Sequence, residues 1–269
     1  MRGLLFYDTV GAERNKWFIG RLIEVAEERG CELHLVIAPD EVEDALASDF
    51  DFAIVRTISP QLNKRLEELS IPTFNNAKTS FIANDKWQTY LFARELDLDV
   101  MATQRISDEL PTLPYPYVIK TVDGHGGSEV FMVENESKCK EILSLFKDRD
   151  LITQAVCSEP GIDMRVYLLG GEILAAVKRS SDTDFRSNFS LGGNAELSAP
   201  DDKVKKAIND IYTALGCDLV GIDFIRHNGE WILNEIEDVV GTRMLYALTD
   251  IDAAKVYVEY ILSKISDNA

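Results

Sequence analysis

The chain has 269 residues, 46% hydrophobic and 28% charged, the balance of an ordinary globular protein with enough length for a substantial core. Lys and Arg number 28 against 46 Asp and Glu, a formal charge of −18. A field of that sign repels phosphate backbones and anionic lipid, so neither nucleic acid nor a membrane surface is an expected partner, and an anionic ligand needs a local basic pocket or a metal ion. Cys31, Cys139, Cys157 and Cys217 lack CxxC spacing and read as free thiols of a reducing compartment. The apolar start GLLFYD is too short for a signal-peptide core, and no run approaches the roughly 20 residues of a bilayer span; a cytoplasmic protein is expected.

In chain order, RGLLFYDT is strand-like, and NKWFIGRLIEVAEERG has helical apolar spacing ending on Gly30, a residue suited to a C-cap. CELHLVIA, FDFAIVRT and IPTFN read as further strands, with a helix SPQLNKRLEELS between the last two. This alternation predicts a small α/β domain with a parallel sheet over residues 1–82. The pattern then changes. A helix NDKWQTYLFAREL, capped by Asn84 or Asp85, leads through LPTLPYPY into hairpins alternating with the helices SKCKEILSLFKD, DDKVKKAINDIYTALG and DAAKVYVEYILSKI. Residues 83–269 are therefore expected to be α+β, with antiparallel sheets covered by helices. The polar, Gly-rich SSDTDFRSNFSLGGN reads as a functional loop or a linker.

Residues 220–238, VGIDFIRHNGEWILNEIED, read as two strands around Asn228-Gly229, yet carry Asp223, Glu235, Glu237 and Asp238. Burying several carboxylates together requires compensating cations. Glu235 and Glu237, two apart, share a strand face. Two registers stay open. A two-residue turn pairs His227 with Glu230 and sets Asp223 opposite Asn234, with Glu235 on the other face. A three-residue loop pairs His227 with Trp231 and sets Asp223 opposite Glu235. Only the second gathers three carboxylates, hard ligands suited to Mg²⁺ or Mn²⁺; a solvated acidic face is the alternative.

In VIKTVDGHGGSEV, Lys120 ends an apolar strand and Gly124, Gly126 and Gly127 follow. Such glycines let backbone N–H groups approach phosphate oxygens while the lysine supplies charge; a plain hairpin turn is the blander alternative. Lys86, in the first turn of its helix, opposes the helix dipole. In GIDMRVYLLGGEILAAVKR a Gly170-Gly171 turn pairs Asp163 with Lys178, so that Arg165 and Lys178 share a face and Arg179 points away. With Arg186 and Asn188 in the loop beyond, these cations suggest an anion site, the alternative being exposed salt bridges. His34, His125 and His227 show no ligand spacing, and no Ser–His–Asp or Cys–His set suggests a nucleophile.

In this order, NDKWQTYLFAREL, YVIKTVDGHGGSEVFMV, LITQAV, GIDMRVYLLGGEILAAVKR, DFRSNFSLGG, LVGIDF and ILNEIED resemble the ATP-grasp superfamily, specifically its RimK-type carboxylate–amine ligases, across residues 75–262. The resemblance implies an ATP-grasp fold behind a smaller N-terminal domain, with a lid over about 100–153, a catalytic part over about 154–269, and nucleotide between them. Arg56 after FAIV matches a basic position often found there. By the same resemblance Lys86 and Lys120 contact ATP phosphates, and Gly124, Gly126, Gly127 and Ser128 belong to the loop that closes over them. Adenine lies beside Gln154, Ala155, Val156 and Cys157, with Glu159 at the ribose, and Asp223, Glu235 and Glu237 hold Mg²⁺. Arg165, Lys178, Arg179, Arg186 and Asn188 bind the acid substrate and the transferring phosphoryl group. Amino acids or peptides are the implied acid and amine substrates, and a homo-oligomer is compatible with similar enzymes. Glu237 stands where the family usually has Asn, Leu191 replaces a frequent Arg, and VVGTRML replaces the usual small-residue loop. The rival class is an ATP-binding module without ligase activity.

Overall fold

A computed structural model of the chain describes residues 1–107, 110–181, 184–185 and 194–267. The first sheet is parallel, with strands β1 (Arg2–Asp8), β2 (Glu32–Ala38), β3 (Phe52–Val55) and β4 (Thr73–Phe74) in the order β2-β1-β3-β4. Its connections carry α1 (Thr9–Arg14), α2 (Lys16–Glu28), α3 (Val42–Leu46) and α4 (Pro60–Glu68). The apolar stripe of α2 buries Phe18, Ile19, Leu22, Val25 and Ala26, and Gly30 follows it with a positive φ of 72°, open to glycine without strain. In α4, Ser59 caps the Leu62 N–H at 3.3 Å and Pro60 occupies the first turn, as the sequence suggests.

Helices α5 (Ala77–Ala83) and α6 (Lys86–Glu95) lead to an antiparallel sheet of β5 (Thr103–Arg105), β6 (Tyr117–Thr121), β7 (Val130–Val133) and β8 (Leu151–Ala155), ordered β5-β8-β6-β7. It is backed by α7 (Glu136–Leu145) through a core that includes Tyr117, Ile119, Val133, Cys139 and Ile142. The third sheet is antiparallel, β9 (Ile162–Leu169), β10 (Glu172–Ser180), β11 (Asn194–Ser198), β12 (Leu219–His227) and β13 (Glu230–Glu237), ordered β11-β10-β9-β12-β13. Helices α8 (Asp202–Leu215), α9 (Arg243–Leu248) and α10 (Ala253–Asp267) complete the described chain.

The third sheet is sandwiched. One face, with Met164, Val166, Leu168, Ile222 and Ile236, packs on α8 and α6 through Ile208, Ile211 and Phe92. The other face meets the first sheet and α10, joining Tyr167, Leu169, Val177 and Leu219 to Leu5, Tyr7, Leu22, Tyr257 and Ile261. Along β9 this second face runs Asp163, Arg165, Tyr167, Leu169, so one strand passes from charged to apolar. The charged end leaves the core and opens toward the second sheet.

The junction is tied by Asn75, only 2% exposed. It accepts the Asp218 N–H at 2.6 Å and donates to Leu219 O at 2.9 Å and Asp238 Oδ1 at 2.8 Å. Asn84 donates to the other Asp238 oxygen at 3.1 Å. Burial pushes the Asp238 carboxyl up against these hydrogen bonds. Of the five acidic residues in 220–238, this one fastens the sheets together.

Both ribbon registers differ from the simple turn counts, for one reason. The turn at Asn228-Gly229, with φ of 51° and 77°, has two residues and pairs His227 with Glu230. A β-bulge then admits Asn234 as an extra residue, and Asp223 falls opposite Glu235 after all. In the β9–β10 ribbon a bulge at Leu174 shifts the pairing so that Asp163 faces Arg179 and Met164 faces Lys178. A one-residue slip exchanges strand faces. Arg179 therefore joins Arg165, and Lys178 points to the helix-covered side, where its Nζ lies 3.1 Å from Glu196.

Candidate active site

A cleft between the second and third sheets encloses about 880 Å³, its open mouth included, within the range of small-molecule sites. The N-terminus of α6, the strand β6, the glycine loop and the β8–β9 connection bring Lys86, Lys120, Gly124, Gly126, Gly127, Gln154, Ala155, Val156 and Cys157 to its wall, opposite Asp223, Glu235 and Glu237. Val118, Val130 and Ile225 add apolar surface. Ser128 and Glu159 are not on this wall. Ser128 is exposed and bonds back to His125 O at 3.3 Å, while Glu159 accepts the Gly229 N–H at 3.0 Å and so braces the β12–β13 turn. Arg186 and Asn188 lie outside the described residues.

Lys120 is 7% exposed. Its Nζ donates to Asn234 Oδ1 at 3.3 Å and stands 3.4 Å from Glu235 Oε1. Desolvation lowers its pKa despite Glu235. Burial pushes the Glu235 carboxyl up, but Lys86 and Lys120 outweigh that and leave it below its usual value. Lys86 Nζ donates to the Gly124 carbonyl, fastening helix α6 to the glycine loop.

Beside them lies a buried charge ladder. Arg165 donates through Nε and Nη2 to the two oxygens of Asp223 at 2.8 and 2.7 Å and through Nη2 to Glu237. Arg179 donates to the oxygens of Asp163 at 2.6 and 2.7 Å and to Asp223 Oδ2 at 2.9 Å. Burial opposes ionisation of Asp223, but the two guanidiniums outweigh it and bring its carboxyl down to about 2. Glu237 goes the other way: burial, reinforced by Asp223 and Glu235, raises it against the pull of Arg165. Arg179 and Asp163 are members that the simple turn count could not assign to the site, and Asn234, the bulge residue on Lys120, carries no signal of its own.

These positions bear on magnesium. Asp223 faces Glu235 across the ribbon, but both its oxygens are taken by guanidiniums. Among the described residues no group of three acidic, His or Cys side chains is placed to hold a metal ion alone. Glu235 and Glu237 remain, on one face of β13 and both on the cleft wall. Two carboxylates suit Mg²⁺ that takes its other oxygens from phosphate and water, the common arrangement where the ion arrives with a nucleotide. The donor set fits magnesium in that form, with Asp223 serving the arginines. Among the described residues no helix is long and apolar enough to cross a membrane.

The chain is similar over most of its length to known proteins. An uncharacterized protein of Mycoplasma pneumoniae, the MG011 homolog, is 26% identical over 266 residues, covering 97% of this chain and 93% of the relative. A probable alpha-L-glutamate ligase of Haemophilus influenzae is 25% identical over 237 residues, covering 82% and 78%. Among solved structures, D-alanine–D-alanine ligase from Bacillus anthracis complexed with ATP superimposes with a TM-score of 0.77 at 16% identity over the whole of both chains. A RimK domain ATP-grasp protein from Sphaerobacter thermophilus gives 0.75 at 18% identity, covering 97% of this chain and all of that one. The three-sheet architecture is thus that of the ATP-grasp fold. The family model described as the RimK-like ATP-grasp domain matches residues 88–261, and the chain belongs to that family.

Proposed function

We propose that this chain is an ATP-dependent carboxylate–amine ligase, forming an amide or peptide bond on an amino acid or peptide with release of ADP and phosphate. The observation that carries this reading is the meeting of Lys86, Lys120, Arg165 and Arg179 with Glu235 and Glu237 around the cleft system. Cations and carboxylates at one place suit a phosphoryl group that is carried in and transferred. The Cys157 thiol on the wall is pushed up by burial, away from the thiolate a nucleophile needs. The ligase names of relatives such as the Haemophilus protein support the same class.

In this reading Lys86 and Lys120 neutralise the phosphates, and Gly124, Gly126 and Gly127 offer N–H groups to their oxygens. Adenine lies between Val118, Val130 and Ile225, against the backbone of residues 154–157. Glu235 and Glu237 would hold magnesium, which would offset the negative charge of the phosphates. Arg165 and Arg179, held rigid by Asp223 and Asp163, receive the acid. A carboxylate oxygen of the acid attacks the γ-phosphorus, the bond to ADP breaks, and an acyl phosphate results. The amine nitrogen then attacks the acyl carbon, the C–O bond to phosphate breaks, and the nitrogen gives up its proton. Residues 1–82 form one domain and 83–269 the grasp, with about 100–153 as lid, working in the cytoplasm.

The test supplies the purified chain with ATP, Mg²⁺, a panel of amino acids and peptides as acids, and either an amine or hydroxylamine. ADP release that requires the acid, with hydroxamate trapped from the acyl phosphate, is the expected result. Tight ATP binding without acid-dependent ADP release would sink the proposal in favour of a non-catalytic ATP-binding module.

A further inference from the structure

A second cavity opens behind the cleft, toward the first sheet, with Asp8, Arg14, Arg56, Arg165, Arg179 and Arg243 on its wall. Its floor follows from strand pairing. Phe6 is level with Val55, so the carboxyl ends of β1 and β3 release Asp8 on one side and Arg56 and Thr57 on the other. Arg56 N donates to Phe6 O at 2.8 Å, and Thr57 Oγ1 to Asp8 Oδ2 at 3.2 Å. The carboxyl end of an open parallel sheet is where ligands gather.

The arginines of this cavity are not alike. Arg165 and Arg179 are charge-paired with Asp223, Glu237 and Asp163 through Nε and Nη2, and among the described residues no hydrogen bond engages their Nη1 groups. Arg56 is 5% exposed and donates Nη2 to Val240 O at 2.7 Å, with the Phe18 ring centred 5.6 Å away. Its Nε is buried without a partner, and among the described residues no carboxylate stands within ion-pair distance of it. Burial opposes its charge, and the Tyr7 and Tyr257 hydroxyls favour it, with Asp238 adding to them from farther off, both Asp238 oxygens being occupied by Asn75 and Asn84. Arg14 and Arg243, exposed at the rim, likewise have no carboxylate partner among the described residues. Burying a guanidinium without a carboxylate partner is costly, so Arg56 needs a reason, and in a chain of charge −18 it shares its cavity with two exposed arginines that also lack a carboxylate partner. A planar guanidinium fork matches a carboxylate.

We infer that Arg56 binds a second, non-reacting carboxylate of the acid substrate, with Arg14 and Arg243 at the rim, so that the chain selects acids bearing two carboxylates. One carboxylate sits on Arg165 and Arg179 for phosphorylation, and the other is held across the cavity. The inference rests on the ligase function proposed above and names its substrate class.

Matched probes test it. Wild type, Arg56→Gln and Arg56→Lys are given ATP, Mg²⁺ and hydroxylamine with glutarate or valerate, acids of equal carbon count, and glutarate binding is measured separately by calorimetry. The expected results are a kcat/KM at least tenfold higher for glutarate, its loss in Arg56→Gln mainly through KM, and partial retention in Arg56→Lys. Equal use of both acids by the wild type, or an undiminished preference in Arg56→Gln, overturns the inference and leaves the ligase intact. If no acid supports ADP release, the ligase function fails, and calorimetry decides the carboxylate site: Arg56-dependent glutarate binding upholds it, and no binding removes it. Should Arg56→Gln not fold, Arg14→Gln/Arg243→Gln at the exposed rim carries the test, with weaker glutarate binding expected and unchanged binding overturning it.

Discussion

Arg165 and Asp223, 58 residues apart in the chain, lie side by side on neighbouring strands and share two hydrogen bonds of 2.8 and 2.7 Å. Neither side chain tolerates its buried position without the other, and each sits where the sheet face turns from apolar to charged. Removing Asp223 leaves two buried guanidiniums short of a counter-charge. Asp223→Ala is expected to cost about 3–5 kcal/mol of folding stability, whereas Arg165→Met/Asp223→Ala costs less than the sum of its parts. Urea unfolding of the four proteins in the cycle checks this; additive losses would mean that the pair is not coupled.

Glu235 has a different neighbour, Lys120, and a different expected effect. Glu235→Gln keeps a hydrogen-bond acceptor for Lys120 but removes a charge from the proposed magnesium position. Turnover is expected to fall by on the order of 100-fold, with a higher Mg²⁺ requirement, while the unfolding midpoint changes little. Steady-state ATP consumption over a magnesium series is the measurement, and unaltered turnover would contradict the assignment.

Deleting Leu174 removes the extra residue of the β9–β10 ribbon but leaves the pairing beyond it unchanged, with Arg179 still opposite Asp163. ATP consumption is therefore expected to be largely retained. Deleting Leu174 and Ala175 together shifts the register by one, sets Arg179 opposite Met164 and sends it to the helix-covered face, and ATP consumption is expected to drop on the order of 100-fold. Equal activity of the two deletions, with circular dichroism confirming folded chains, would show that the register does not select the cation.

Asn75 satisfies three buried groups on two other segments, the Asp218 N–H, the Leu219 carbonyl and the Asp238 carboxylate. Asn75→Ala leaves all three unmet and is expected to destabilise by roughly 3 kcal/mol or more, at about 1–3 kcal/mol for each group. Asn75→Asp is expected to be worse, because it sets a second carboxylate beside Asp238. Denaturant midpoints of the two variants give the answer.

Asp218 sets a pH dependence of stability. Burial lifts its carboxyl to about 7, against a hydrogen bond from Tyr260 at 2.7 Å and the charge of Lys264. The unfolded chain ionises this group near its ordinary value of 3.8, so the native state holds the proton longer. Its contribution is fully present below 3.8 and is lost as pH rises toward about 7, by at most about 4 kcal/mol. Asp218→Asn is expected to flatten this part of the profile, read as a smaller difference between urea midpoints at pH 5 and pH 8 than in the wild type.

Periodicity alone located the strands of the parallel sheet, the amphipathic helices and the three hairpins, because apolar spacing and turn residues are local properties. Short elements such as α1 and α3 carry too few turns to show a period. The resemblance through Lys86, Lys120 and the glycine loop brought together residues that do line one cleft. It also brought in Ser128 and Glu159, whose side chains are spent within the glycine loop and on the β12–β13 turn.

What the sequence determined by itself was the kind of chemistry: an acidic chain that nonetheless strings lysines, arginines and carboxylates along strand ends. Which of those charges meet was decided only in three dimensions. The bulges at Leu174 and Asn234 each displace a strand by one residue, and that displacement chooses Arg179 over Lys178 and restores Asp223 to the side of Glu235. A bulge is settled by how a ribbon twists and packs against its neighbours, so its cause lies in tertiary contacts rather than in the residues that flank it.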